Sequence, residues 1–343
     1  MPNIAFQDLV QYGQDIFVAA GSPYESARYV AQRLVHANLT GHDSHGVIRI
    51  AQYLAAIQNR ELLPDRLPKR RKQEGSLLWV DGQRGFGQLA AKFAVEQGLQ
   101  LLQEHRLALV ACHNLNHAGR IGDYTSMAAE NGALALCFCN GGGPNVAPYG
   151  AKQRIMGTNP MALSVPLSPG RCMEIDFASA ATAEGKIRVA RNRRAPLPPD
   201  QVIDKHGHAS TDANAFYDGG SILPMGRHKG SALSLVLEIL AGVFTGAKCS
   251  VFDEYEDGNG LLFLLTAPDA FVPRHQFDRD IRRLHDAVVH AEPAAEQSVL
   301  FPGGPEHTQL QYRRLHGVEL DGRSWETVLE AGNRLNIIPP AFS

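Results

Sequence analysis

A glycine pattern between two strand-like runs constrains the fold of this chain more than any other feature. Ser76 to Asp81 reads as a strand, Gly85-Phe86-Gly87-Gln88-Leu89-Ala90 follows, and a helix then runs to about His105. On paper this is the G-x-G-x-x-A fingerprint of a Rossmann unit. Such a unit needs an Asp or Glu at the end of its next strand to hold a ribose. Here the next strand, Leu107 to Cys112, runs into Cys112-His113-Asn114. The chain is therefore expected to be α/β but not Rossmann, with glycines that permit a tight turn into a closely packed helix.

A second stretch concentrates chemistry. Asn38 to Arg49 joins two segments of helical period: Ala27, Val30, Ala31, Leu34 and Val35 before it, and Val47, Ile50, Ala51, Leu54 and Ile57 after it. Ser22 is expected to cap the first helix, with Pro23 at its first position and Glu25 three residues beyond the cap. With Ser44 capping the second helix, His45 and Arg49 would share one face of its first turn. An imidazole that exchanges a proton beside a guanidinium that grips a carboxylate suits reactions of small carbonyl or hydroxy acids. The bland alternative is a capping or surface histidine. His42-Asp43 admits a metal reading, but neighbouring residues rarely turn toward one ion and no second cluster has ligand spacing.

Along the rest of the chain, Arg60 to Gly75 carries Lys69-Arg70-Arg71-Lys72 and reads as an exposed connector. His117-Ala118-Gly119-Arg120-Ile121-Gly122 stands at a strand-to-helix junction, where loops deliver functional groups; a cap with a solvent-facing histidine is the alternative. Ala133 to Phe138, Met161 to Pro166, Cys172 to Phe177 and Leu261 to Thr266 read as strands. Ala178-Ser179-Ala180-Ala181 opens a small-residue segment into Glu184-Gly185-Lys186. This segment suits either a phosphate cradle or a plain turn. Lys229 stands at the entry to an apolar helix, Ser231 to Phe244. The C-terminal part is mainly helical, over Pro273 to His290, Glu306 to His316 and Ser324 to Leu335, with Pro302-Gly303-Gly304-Pro305 as a rigid turn.

A chain of 343 residues can bury a large core and is expected to form two lobes. Its net charge of −2 argues against nucleic acid held by bulk electrostatics. Five cysteines form no C-x-x-C pair, and Cys137 and Cys139 alternate along an apolar run, which places them on one side of a buried strand. With no signal core and no apolar run of spanning length, the expected compartment is the cytoplasm, without membrane attachment.

Five motifs in register resemble the malate/L-lactate dehydrogenase family of non-Rossmann NAD(P)-dependent oxidoreductases. They are Gly41-His42-Asp43-Ser44-His45-Gly46, His117 to Gly122, Gly157-Thr158-Asn159-Pro160, Ile175-Asp176-Phe177-Ala178-Ser179 with Gly185-Lys186, and His228-Lys229-Gly230. Ala37 to His42 and Phe86-Gly87-Gln88 look closest to the hydroxycarboxylate dehydrogenase B type within it. The resemblance implies a central mixed sheet with a helical lobe from both termini. On that reading residues 1–75 and 305–343 form the lobe with the catalytic histidine and dimer contacts, and residues 76–304 form the NAD(P)-binding domain.

The resemblance further implies a homodimer with active sites near the subunit interface. It gives acid/base work to His45, with Ser44 in support, and substrate-carboxylate binding to Arg49. His117 and Thr158 would lie by the nicotinamide and substrate. Asn159, Asp176, Phe177, Ala178, Ser179, Lys186, His228, Lys229, Gly303, Gly304 and Glu306 would line the cofactor, NAD or NADP with NAD favoured. The implied reaction interconverts a small 2-oxo acid and its 2-hydroxy acid. Reduction of a cyclic imino acid is the alternative, and a metal-dependent hydrolase or a silent dinucleotide-binding protein stand further off. Three places depart from the family pattern. Ser231-Ala232 follows His228-Lys229-Gly230 where Tyr-Gly is usual, Ala178-Ser179 replaces Ala-Thr, and Ala247 to Gly260 is short and acidic (Asp253, Glu254, Glu256, Asp257).

Overall fold

The computed structural model describes residues 2–168, 170–255, 258–295 and 297–340; Glu256 and Asp257 lie outside the described residues. The chain opens with β1 (Asn3–Ile4) and three helices, α1 (Phe6–Ala19), α2 (Tyr24–Leu39) and α3 (Arg49–Gln58). The apolar stripe of α2 is buried as its period predicts, at Ala27, Val30, Ala31, Leu34 and Val35. Each of its larger side chains contributes about 1.5–3 kcal/mol by leaving water. Ser22 is not the cap: α2 starts at Tyr24 behind Pro23, and the Ser22 hydroxyl donates to the Pro23 carbonyl. Proline's fixed φ supplies the helix entry in place of a side-chain cap.

Next come β2 (Lys69–Glu74), β3 (Leu77–Asp81), α4 (Gly87–His105), β4 (Leu107–Leu115), α5 (Gly122–Glu130), β5 (Leu134–Gly141), β6 (Pro160–Ser168) and β7 (Arg171–Ala178). A smaller unit follows, with α6 (Glu184–Arg193), β8 (Val202–Ile203), β9 (Ala209–Ser210), α7 (Ala213–Tyr217) and β10 (Ser221–Ile222). The chain closes with α8 (His228–Leu237), β11 (Asn259–Thr266), α9 (Arg274–Val289), α10 (Gly304–His316), β12 (Val318–Glu319) and α11 (Gly322–Asn333).

The main sheet has the order β2-β3-β4-β11-β5-β6-β7. Only β3 and β4 run parallel, and every other pairing is antiparallel. The unit β3–α4–β4 is thus a genuine crossover around the glycine pattern, set in a mixed sheet that is not Rossmann. Gly87 is there for close packing: a Cβ on it would come within 2.1 Å of the Asn116 carbonyl oxygen. Cys137 and Cys139 do point to one side, into the core that α4 and α5 cover.

The basic segment read as a connector is strand β2, paired with β3 and exposed at every residue. A division of the chain at residue 75 consequently cuts a hairpin. The two termini meet in the β1–β12 pair, which draws α10 and α11 onto α1–α3 around Tyr12, Phe17, Tyr53 and Trp325. A third cluster, around Met156, Ile187, Leu197 and Phe216, holds the small three-stranded unit. The apolar helix after Lys229 begins three residues earlier than its apolar run, at His228, and loosens to a π-helix over Glu238–Val243. No helix among the described residues is long and apolar enough to cross a membrane.

Candidate active site

The turn that carries His45 is wound around Asn38, a buried side chain in the last turn of α2. Its Nδ2 donates to Asp43 Oδ1 at 2.7 Å, and its Oδ1 accepts the Val47 N–H at 2.9 Å. Arg313 of α10 grips the same turn from outside, donating to the two Asp43 oxygens at 2.7 and 3.1 Å and to the Asn38 carbonyl. Between these supports Asp43–His45 forms a single 3-10 turn, Gly46 is extended, and α3 starts only at Arg49. Ser44 therefore caps no helix, and His45 and Arg49 do not share a helical turn. Asn38 packs directly against Gly46, where a Cβ would stand 2.3 Å from Asn38 Oδ1.

The proposed pair meets in space all the same. Arg49 Nε donates to the Ser44 carbonyl at 2.7 Å, and Ser44 Oγ lies 3.1 Å from His45 Nδ1. The His45 ring stacks on His117 with centroids 5.6 Å apart and planes 19° from parallel. His117 sits on the loop leaving β4, which Asn259 steadies by accepting the Ala118 N–H at 2.8 Å. Behind it, Tyr53 Oη lies 2.8 Å from His117 Nδ1 and accepts from Gln88 Nε2 at 2.6 Å. Burial first, then the charges of Arg49 and His42, pull the His45 imidazole down to about 3. Burial, Arg49 and His45 hold His117 well below the ordinary histidine range. Both rings are therefore neutral near pH 7.

The cofactor candidates divide into braces and open positions. The Asp176 carboxylate turns inward, accepting the Gly122 N–H at 2.8 Å and facing buried Arg120 at 3.8 Å. Arg120 also pairs with Asp123 at 2.9 Å and with Glu174. Burial raises the Asp176 carboxyl above its usual range despite Arg120. Asn159 is fully buried, with Nδ2 donating to Ser234 Oγ and Glu238 Oε1, both at 3.0 Å. It braces the backbone of Thr158, whose carbonyl accepts from the N–H and Oγ of Ser179, each at 3.1 Å.

Phe177, Lys186, His228 and Lys229 are exposed, and Ala178 is partly so. Lys186 lies in the first turn of α6, while His228 and Lys229 open α8. Gly185 presses α6 against the turn that carries His45, since a Cβ there would lie 2.9 Å from Ser44 Cβ. Gly303 closes over Glu174, Gly304 faces open space, and Glu306 lies 3.5 Å from His42 Nε2. The hydrogen bond from His42 draws the Glu306 carboxyl below its usual range. His42 and Asp43 thus face different partners, and no group of three or more His, Cys, Asp or Glu among the described residues could hold a metal ion.

These positions fit a diphosphate-bearing cofactor. Two helix N-termini, each with a lysine in its first turn, offer N–H donors and positive charge, with Glu184 of α6 occupied by the Tyr217 hydroxyl. The Thr182 hydroxyl, two residues before α6, is buried with no hydrogen-bond partner among the described residues. Gly141, Gly142 and Gly143 all have positive φ, and Gly143 borders open space that a side chain would fill. Sequence reasoning missed Asn38, Tyr53, Gln88 and Arg313. Tyr53 carried a readable signal, four residues after Arg49 and so on the same face of α3. Nothing local marks Asn38.

The sequence model of malate/L-lactate dehydrogenase matches residues 4–329. The chain belongs to the malate/L-lactate dehydrogenase family. It is 31% identical over 345 residues to hydroxycarboxylate dehydrogenase B of Escherichia coli K12, covering 96% of this chain and 94% of that protein. Its fold superposes on sulfolactate dehydrogenase from Methanocaldococcus jannaschii with a TM-score of 0.88 at 29% identity, covering 98% of both chains. It also matches Δ1-piperideine-2-carboxylate reductase from Pseudomonas syringae, with a TM-score of 0.85 at 26% identity over 96% of this chain and 100% of that one. These likenesses support a hydroxyacid dehydrogenase with the mixed α/β fold described above.

Proposed function

We propose that this family member interconverts a small 2-oxo acid and its 2-hydroxy acid by hydride transfer with NAD or NADP. The observation that carries the reading is the stacked His45–His117 pair under the charge of Arg49. The nicotinamide, when bound, supplies or accepts the hydride. Lys186 with the α6 N-terminus, and His228 with Lys229 at α8, would hold its phosphates, while Thr158 and the Gly141–Gly143 backbone would border the ring. Arg49 anchors the substrate carboxylate.

In the oxidative direction, neutral His45 takes the hydroxyl proton as the hydride leaves carbon. In the reductive direction His45 must first be protonated. A carboxylate on Arg49 neutralises the second-largest influence that disfavours this state, so substrate binding primes the donor. A homodimer is part of the same reading. Leu235, Val236, Ile239, Val243 and Phe244 form an apolar strip along α8 and the π-helix, each 48–62% exposed, suited to a second copy.

The test is NADH and NADPH oxidation against a panel of 2-oxo acids and cyclic imino acids, with His45→Ala as control. Turnover of 2-oxo acids that His45→Ala abolishes, with cofactor binding retained, supports the assignment. Turnover of imino acids alone favours the second reading, which the likeness to the piperideine-2-carboxylate reductase fold motivates. Absence of dinucleotide binding would overturn both.

A further inference from the structure

We propose that Tyr53 and Gln88 are positioning residues that fix His117 in the Nε2–H tautomer, so that it meets the substrate as a neutral hydrogen-bond donor. This rests on the dehydrogenase reading of the site and adds a division of labour within it, in which His45 moves the proton and His117 only donates a hydrogen bond.

The argument is a count of hydrogens. Gln88 Nε2 is an amide nitrogen, a donor only, and it lies 2.6 Å from Tyr53 Oη. Tyr53 therefore accepts from Gln88 and has one hydrogen of its own to give. Its nearest acceptor is His117 Nδ1 at 2.8 Å, closer than the His117 carbonyl at 3.4 Å. An Nδ1 that accepts leaves the neutral ring's proton on Nε2. Burial pushes the Tyr53 phenol up to about 12, so it keeps its hydrogen across the working pH range.

The arrangement also penalises the imidazolium. A proton on Nδ1 would face a phenolic oxygen that already accepts from Gln88, and the phenol hydrogen would lose its best acceptor. The other charged or titratable groups facing His117, Arg49 and His45, push the same way. The relay is held rigidly. Tyr53 packs between Phe17 and Phe86, with ring centroids 6.2 and 6.1 Å away, and Gln88 is fully buried in the first turn of α4. The glycine pattern thus supplies a hydrogen-bond donor beneath the site, in place of a ribose-binding loop.

The reverse orientation of the Gln88 amide would invert the relay. Tyr53 would then donate to Gln88, and His117 would carry its proton on Nδ1. Long-range 1H–15N correlation spectra of histidine-labelled full-length protein distinguish the two directly, with His117→Asn identifying the signals. The expected result is an Nε2–H ring that stays neutral below pH 6; an Nδ1–H ring or an imidazolium overturns the proposal.

Tyr53→Phe keeps the ring packing and removes only the hydroxyl. It should mix the tautomers and lower kcat about tenfold, the worth of one hydrogen bond, with the Kd for NADH unchanged. Gln88→Glu should move the ring toward Nδ1–H. An unaltered tautomer and kcat in both variants would refute the relay. Wild-type protein that shows the Nε2–H ring but turns over no 2-oxo acid would instead count against the dehydrogenase reading alone.

Discussion

Replacing Asn38 with Ala tests whether the catalytic turn is held in the way described. The substitution removes the 2.7 Å bond to Asp43 and the 2.9 Å bond from Val47, and leaves a buried Val47 N–H without a partner. Two bonds at about 1 kcal/mol each, plus an orphaned buried donor, sum to about 3–4 kcal/mol. In thermal unfolding this should appear as a fall in Tm of about 4–6 °C. Arg313 still holds Asp43, so the turn loosens on the side nearer Val47, and His45 drifts over its stacked partner. A drift of about 1 Å should cost on the order of 100-fold in kcat, with a smaller change in cofactor affinity. Gly46→Ala supplies the sharper check. Alone it forces a methyl group to within 2.3 Å of Asn38 Oδ1, whereas in the Asn38→Ala background that obstacle is gone. The two substitutions should therefore be strongly non-additive. Additivity within about 0.5 kcal/mol, or Asn38→Ala with unchanged kcat, would refute the picture of Asn38 as the post of the turn.

Because His45 in the free protein is pulled down to about 3, it is already deprotonated from pH 5 to 8. The kcat/KM for 2-hydroxy acid oxidation should be level across that range, while that for 2-oxo acid reduction should fall about tenfold per unit rise in pH. A level reductive profile would show that another group carries the proton. Arg49→Lys keeps the charge but loses the planar fork, so KM for the acid should rise with kcat little changed; an unchanged KM would move the anchor elsewhere. Acid stability follows from the same histidines. As pH falls below about 6.5, the unfolded chain protonates His45 and His117 while the folded chain does not, so stability falls with pH. The loss approaches at most about 1.4 kcal/mol per pH unit per histidine. His45→Asn should flatten the slope of denaturation midpoint against pH, and an unaltered slope would contradict the depressed value.

The fold was legible where one face of an element repeats. The stripe of α2 and the alternating cysteines of β5 each correspond to a local packing requirement, the missing acid after β4 to a ribose contact the fold does not make there, and each reads correctly from the residues themselves. The family motifs carried the rest of the fold. The turn carrying His45 was not legible in detail, because what holds it is the side chain of Asn38, eight positions before Gly46, together with Arg313 from α10. Strand β2 was hidden for a different reason. Its residues face solvent on both sides and show no apolar alternation, and pairing with β3 alone makes it a strand. Asp176 and Asn159 are expected from the sequence to line the cofactor, and what the sequence does not show is that their side chains also pair within the protein. Their partners Arg120 and Glu238 come from distant segments, and no local pattern announces them.

Strand β2 also bears on how copies of this chain behave when crowded. It forms one rim of the main sheet, opposite β7, and a bare rim of backbone donors and acceptors is an adhesive template for another chain. Two copies approaching rim to rim in parallel would set Lys69, Arg70 and Arg71 of one against the same cations of the other, while Lys72 is already paired with Glu74. Strands pair at about 4.8 Å, well inside the roughly 8 Å over which physiological salt screens charge, so the repulsion persists at the distance where pairing would begin. Like charges at that distance oppose pairing along this rim. Replacing the four cations with Ser and Thr would remove that opposition together with the bonds of Arg70 to Gln97 and Gln100 and the stacking of Arg71 on Trp79, and should raise concentration-dependent association in light scattering.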